Sequence, residues 1–81
     1  MKNVDPCIGE RVMLSRRRKH LSQQDLAAQV AMSPTSINRL ERGLQSVSAE
    51  SLMHIARALS VSADFLLGLQ EEEAMLHKTA P

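Results

Sequence analysis

The 81-residue sequence predicts one small all-α domain, a compact bundle of five short helices. Two observations support this prediction. Apolar residues recur at helical spacing, and a serine or aspartate that can cap a helix precedes each of these segments. We expect a flexible arm at residues 1–5, the folded domain at residues 6–68 and an acidic tail at residues 69–81. For the tail, a frayed end and a helical extension of a dimer surface both stay open.

The first helix is expected from about Pro6 to Lys19, with Asp5 as its candidate cap. Ile8 and Val12 lie on its apolar face. Residues 16–19 are all cationic, and cations at the end of a helix interact favourably with the helix dipole. This run is either a solvated basic surface or a contact for phosphate groups.

Residues 21–43 predict two further helices joined by a tight turn. The second helix should begin at Ser22, with Asp25 reaching back to it as in a capping box. Ser33 and Pro34 should begin the third, because proline is tolerated at the first helical position. Gly43 should end it, since glycine readily adopts the left-handed conformation of a C-cap.

Two more helices follow a short loop. Ser48 is expected to cap the fourth, whose apolar face predicts core residues, and residues 62–64 should begin the fifth. The fifth helix is more apolar than one small core requires, which suggests a dimer surface. The residues proposed for that surface are Phe65, Leu67, Leu69 and Leu76.

The third helix has two different faces on a helical wheel. Ile37, Leu40 and Glu41 lie on one side. Arginine can bind guanine bidentately, asparagine can bind adenine, and a threonine methyl can contact the thymine methyl in the major groove. The other side has such side chains and no acid: Thr35, Asn38, Arg39 and Arg42, with Ser36 on a flank.

The spacing of small and apolar residues across the second and third helices fits a known pattern. Counted from Gln23, a small residue stands at the fifth position, and apolar residues stand at the fourth, eighth, tenth, fifteenth and eighteenth. Together with the stretches LSQQDLA, LERG and IARALSVSADFLLG, this spacing resembles the lambda/434 repressor and Cro-like (XRE-type) helix-turn-helix family over roughly residues 8–68. The resemblance implies a five-helix lambda-repressor-like fold with the helix-turn-helix at the second and third helices.

The chemistry of the side chains and the resemblance together suggest roles for individual residues. Arg16 and Glu41 are expected to form a structural ion pair, because relatives have a matching pair and an isolated buried charge is costly. Candidate base-reading residues are Thr35, Asn38, Arg39 and Ser36. Candidate phosphate contacts are Gln23, Arg42, Ser46, Ser33 and Arg17, and Ser36 fits this group as well. The resemblance also implies that Gln23 supports the third helix.

The sequence departs from the family pattern at several positions. Ser15 replaces a common apolar residue, His20 stands where a helix must end, and Ala31 replaces the usual turn glycine. A left-handed Ala31 would cost roughly 1–2 kcal/mol. Val47 stands where relatives often have proline.

Composition narrows the possible functions. The net charge is +1, but residues 1–60 contain nine basic and five acidic side chains, whereas residues 61–81 contain one and four. A basic body favours nucleic acid as partner. With no Trp or Tyr and only one Phe, recognition by aromatic stacking is disfavoured. Cys7 is the only cysteine, so no internal disulfide can form, and no long apolar run or signal peptide is apparent.

We therefore expect a cytoplasmic, sequence-specific regulator of transcription that binds a palindromic operator in double-stranded DNA as a homodimer, with repression favoured over activation. The alternative is an antitoxin or co-regulator whose main partner is another protein, with residues 66–69 and the acidic tail as its working surface. No enzyme motif, cofactor site, metal site, membrane segment or pocket for a small-molecule effector is evident.

Overall fold

The computed structural model describes residues 6–69, with side chains from Ile8 onward. Within this range the chain is all-helical, as predicted, and no described residue is in a strand. None of the described helices is both long and apolar enough to cross a membrane. The expected arm with its Asp5 cap, and the tail from residue 70 with Leu76, lie outside the described residues. The helices are α1 (Pro6–Arg18), α2 (Gln23–Val30), α3 (Pro34–Glu41), α4 (Ala49–Leu59) and α5 (Ala63–Leu67).

A serine hydroxyl caps the amino-terminal end of each helix after α1. Each accepts a hydrogen bond from the backbone N–H three residues further on, which satisfies a donor that the helix itself leaves free. At α2 the bond is reciprocal, because the Asp25 carboxylate accepts the Ser22 N–H at 3.0 Å. The hydrogen bonds from Ser22 hold the pKa of Asp25 below its usual value. The four caps, all expected from the sequence, are Ser22, Ser33, Ser48 and Ser62.

A residue in the left-handed conformation ends each helix. After α3, Gly43 has a φ of 76°, and the Leu44 N–H donates to the Arg39 carbonyl at 2.8 Å, as in a Schellman motif. The same geometry follows α1, α2 and α4, but there the left-handed residues are not glycines. They are His20, Ala31 and Ser60, with φ of 60°, 58° and 59°. The turn at Ala31 is therefore the strained version expected from the sequence, and His20 and Ser60 are two further left-handed residues that are not glycine.

One continuous core joins the five helices. α1 packs on α3, α4 and α5, while α2 packs on α3 and α4. Leu66 is completely buried, so it belongs to this core and not to the exposed protein-binding surface expected at residues 66–69. That expectation was wrong at Leu66 because a short fifth helix must bury one side chain to pack on α1 and α4. The largest fully buried side chains are Leu26, Ile37, Ile55, Leu66 and Val12.

Gly9 sets the distance between α1 and α3. It is buried, and a Cβ atom at this position would overlap the Leu40 carbonyl oxygen and lie 2.7 Å from that of Glu41. Both obstacles are backbone atoms, which cannot rotate away as a flexible side chain can. The absence of a side chain at Gly9 therefore allows α1 to support the carboxyl end of α3 directly.

Candidate nucleic-acid interface

The outer face of α3 is available to a ligand. Thr35 and Arg39 are exposed and Asn38 is half-buried. The opposite side of the helix, with Ile37 and Leu40, is buried in the core. Because these two anchors fix the rotation of α3, the polar side chains are directed away from the domain.

The ion pair expected between α1 and α3 is present. Glu41 accepts two hydrogen bonds from Arg16, from Nε at 2.6 Å and from Nη2 at 3.0 Å. The third nitrogen, Nη1, donates to the Leu21 carbonyl at 2.8 Å, just beyond the end of α1. Only 10% of the Arg16 side chain and 3% of the Glu41 side chain are exposed. The hydrogen bond with Glu41 raises the pKa of Arg16, and the pair joins α1, the start of α2 and the end of α3.

Gln23 extends this pair toward the exposed face. Its Nε2 donates to Glu41 Oε1 at 3.0 Å, and its Oε1 accepts from Asn38 Nδ2 at 3.4 Å, which is a long hydrogen bond. Spacing in the sequence did not indicate these links, since they depend on how α2 crosses α3. The only signal was the resemblance, which implied that Gln23 supports the third helix.

The other candidate residues lie at the ends of elements. Ser33 is the exposed cap of α3, and its hydroxyl already accepts the half-buried Ser36 N–H at 3.0 Å. Arg42, at the C-cap of α3, is exposed, as are Ser46 in the following loop and Arg17 near the end of α1. Their roles in binding stay predictions.

The surface proposed for dimerisation is only partly available. Leu67 and Leu69 are 42% and 46% exposed. Phe65 is half-buried against the core, and the Arg11 guanidinium lies over its ring at 5.2 Å from the centroid. Phe65 therefore contributes less apolar surface to a partner than its sequence position suggests.

Within residues 6–69, no group of three or more His, Cys, Asp or Glu side chains is close enough to hold a metal ion. The chemistry of the described surface is instead that of arginines, amides and hydroxyls on and around α3.

Comparison with known proteins gives consistent matches. The helix-turn-helix family model matches residues 12–66. The P22 c2 repressor protein, solved in complex with a synthetic operator, has a TM-score of 0.73 and 31% sequence identity, covering 76% of this chain and 94% of that chain.

Curated relatives match over the same region. An uncharacterized transcriptional regulator in the ATPase CF(0) region of Rhodospirillum rubrum is 38% identical over 63 residues, which are 78% of this chain and 58% of that protein. Multiprotein-bridging factor 1 of Eremothecium gossypii is 35% identical over 60 residues, covering 74% of this chain and 40% of that protein. The chain thus spans 40–58% of the length of these two curated relatives.

Proposed function

This chain belongs to the helix-turn-helix family of the lambda/434 repressor and Cro type, and we propose on that basis that it is a transcriptional regulator that reads double-stranded DNA. The observation that supports the proposal most directly is the outward polar face of α3, held in place by Ile37 and Leu40. A structurally similar repressor was solved with operator DNA, and a curated relative is named as a transcriptional regulator.

In this proposal α3 enters the major groove. Thr35, Asn38, Arg39 and Ser36 contact base edges, and Gln23, Arg42, Ser46, Ser33 and Arg17 contact phosphates. Base contacts discriminate between sequences, whereas phosphate contacts fix the register of the helix on the duplex. The chain acts as a homodimer on a palindromic operator, with the two copies of α3 in successive major grooves about 34 Å apart. Such a dimer acts as a repressor where its operator overlaps a promoter.

The first experiment is selection of bound duplexes from a random pool by the parent protein. We expect a palindromic sequence to be enriched. Arg39→Ala should then lower the affinity for the selected duplex by about 1–3 kcal/mol and relax the preference at one base pair in each half-site. Binding is measured by fluorescence anisotropy in the presence of competitor DNA, at several salt concentrations.

Arg57→Ala is the matched control. Arg57 is also exposed, but it lies on α4, so this change removes the same charge away from α3. It should leave the base preference unchanged. If Arg39→Ala bound every duplex variant as the parent does, the base-reading role of Arg39 would be refuted.

A second candidate function is that of a co-regulator or antitoxin that binds another protein. The exposed Leu67 and Leu69 favour it, as does the similarity to multiprotein-bridging factor 1. The salt dependence of DNA binding distinguishes these two candidate functions. A regulator that contacts several phosphates loses affinity steeply as salt rises and still prefers its operator over competitor DNA, whereas an adaptor shows neither property.

A further inference from the structure

Four of the described helices end in the same hydrogen-bonded turn, and an apolar residue closes each turn. In this Schellman motif the N–H of the closing residue donates to the carbonyl of the residue five positions earlier, and the two side chains are often in contact. The closing residues are Leu21, Met32, Leu44 and Val61, and the residues whose carbonyls accept are Arg16, Ala27, Arg39 and Ala56. Each turn therefore brings one apolar side chain next to one residue of the last helical turn.

Leu44 differs from the other three closing residues in its surroundings. Leu21, Met32 and Val61 pack against the core, and the acceptor residue of each is buried. Leu44 is instead 53% exposed, and its acceptor residue, Arg39, is exposed as well. The closing side chain is thus packed inward where its acceptor residue is buried, and lies at the surface where its acceptor residue is exposed. Leu44 accordingly lies beside Arg39, at the carboxyl end of the outward face of α3.

A leucine in this position can restrict the Arg39 side chain. The stem of an arginine consists of methylene groups, which pack on apolar surface while the charged end stays in water. Leu44 offers such a surface, because its backbone N–H is held by the Arg39 carbonyl at 2.8 Å. A long side chain loses conformational entropy when a ligand fixes it, so a stem that is held before binding lowers the cost of recognition.

We propose that Leu44 is a positioning residue that packs on the methylene stem of Arg39 in the free protein, and so strengthens the base preference that Arg39 provides. This inference rests on the proposed function, since it concerns recognition by Arg39. Arginine binds guanine through two hydrogen bonds at once, which requires a fixed guanidinium. On a duplex with another base at that pair the guanidinium is not fixed in this way. The restriction by Leu44 therefore favours only the preferred base.

The first test measures the motion of the Arg39 side chain in the free parent protein. NMR relaxation of the Nε–H group gives an order parameter for motion on the picosecond to nanosecond timescale. We expect a higher value for Arg39 than for Arg57, which is exposed on α4. In Leu44→Ala the value for Arg39 should fall toward that of Arg57, whereas Arg57 should not change. If Arg39 is as mobile as Arg57 in the parent protein, the packing on Leu44 is refuted, whether or not the protein binds DNA.

The second test measures base preference, with the duplex that the parent protein selects from a random pool. Arg39→Ala locates the base pair that Arg39 reads, as the position where preference is lost. Affinities of the parent and of Leu44→Ala are then measured for the selected duplex and for duplexes altered at each base pair. We expect Leu44→Ala to lower the preference at the Arg39 pair about 2- to 10-fold, the effect of ordering one long side chain at an interface. Preferences at the other pairs should stay unchanged.

Three further variants make the result specific. Leu44→Met keeps an apolar side chain of similar size and should retain the preference. Combined with Arg39→Ala, the Leu44→Ala change should lower the preference no further, because the arginine that it positions is gone. Leu14→Ala is the matched control, since Leu14 is 49% exposed on α1 and its loss should alter no preference. Should Leu44→Ala fail to fold, as judged by circular dichroism, the comparison of Arg39 with Arg57 in the parent protein still tests the packing.

The possible failures are distinguishable. If Leu44→Ala weakens binding to all duplexes by one factor, or changes the preference at a pair that Arg39→Ala leaves unchanged, Leu44 contacts DNA itself. The positioning role is then overturned while the proposed function stands. An unchanged preference in Leu44→Ala also overturns it. If the parent protein enriches no sequence at all, the proposed function fails and the role of Leu44 in base preference fails with it.

Discussion

Ser15 is a polar residue in an apolar position. It is 3% exposed, and its hydroxyl has no hydrogen-bond partner within the described part of the chain. A buried hydroxyl without a partner costs about 1–3 kcal/mol. Ser15 lies on α1 directly before Arg16, so this cost falls on the helix that provides one half of the buried ion pair.

Ser15→Ala should therefore stabilise the domain. We expect the free energy of unfolding to rise by about 1 kcal/mol, because the unpaired hydroxyl is removed and alanine is the better helix former. Chemical denaturation, monitored by circular dichroism, measures this change in the free energy of unfolding. Ser48→Ala provides the comparison, since it removes the cap of α4 and should lower stability by about 1 kcal/mol. If Ser15→Ala lowered the free energy of unfolding as much as Ser48→Ala does, the Ser15 hydroxyl would have a hydrogen-bond partner in solution.

Ala31 also lowers stability, but through its backbone and not through its side chain. Its φ of 58° lies in the left-handed region, where an L-residue pays roughly 1–2 kcal/mol. Ala31→Gly should raise stability by about 0.5–1 kcal/mol, since relief of this strain exceeds the greater entropy of glycine in the unfolded chain. The same denaturation experiment measures the change.

Ala28→Gly is the matched control for Ala31→Gly. Ala28 is exposed in the middle of α2, where glycine should lower stability by about 1 kcal/mol. The same substitution three residues apart should thus have opposite signs. If glycine lowered stability at both positions, the strain assigned to Ala31 would be contradicted.

Among the elements, the contact between α1 and α3 determines where the candidate interface lies. Gly9 permits this contact, and the Arg16–Glu41 pair fixes it at the other end of α1. Helix propensity alone predicts that Gly9→Ala raises the free energy of unfolding by about 1 kcal/mol. The structure predicts the reverse. The new Cβ meets backbone oxygens of α3, so we expect a loss of about 2 kcal/mol or more, as for other overpacked cores.

Thermal unfolding distinguishes these two expectations for Gly9→Ala. Glu10→Ala is the control, because Glu10 is the exposed neighbour in the same helix and its replacement should change stability little. If Gly9→Ala were as stable as the parent, α1 and α3 could separate without cost, and the support that α1 gives to the carboxyl end of α3 would be weak.

For the whole molecule, the sequence predicted most of the framework. The serine caps gave the starts of α2 to α5, and the wheel separated Ile37 from Thr35 on α3, because both depend on local patterns. What the sequence did not show depends on distances between elements. Gly9 looks like an ordinary helical glycine until α3 is placed against it. Leu66 and Leu67 look alike until α5 packs and buries one of them.

The same limit applies to the candidate site. The outward direction of Arg39 follows from periodicity along one helix. The link from Gln23 to Asn38 joins two helices, and it requires a particular crossing geometry to bring the two amides within 3.4 Å. Ser60 shows a further limit, because its left-handed backbone has no cue in its side chain.

Assembly into a dimer is a property of the whole molecule. Leu67 is the last residue of α5 and Leu69 follows two positions later, and both keep close to half of their surface exposed. If they form the proposed dimer surface, Leu67→Ser with Leu69→Ser should raise the dissociation constant of the dimer by roughly 100-fold or more. Burying a leucine contributes about 1.5–3 kcal/mol, and a symmetric interface loses each leucine twice. Analytical ultracentrifugation over a range of concentrations measures the constant.

Met53→Ser is the control for the double leucine variant, because Met53 is 51% exposed and lies on a different helix, α4. It should leave the dimer unchanged. On DNA, the leucine variant should bind a duplex with two half-sites hardly more tightly than a duplex with one, since the second α3 no longer benefits from a high effective concentration. A leucine variant that dimerised and bound as the parent does would place the interface on another surface of the chain.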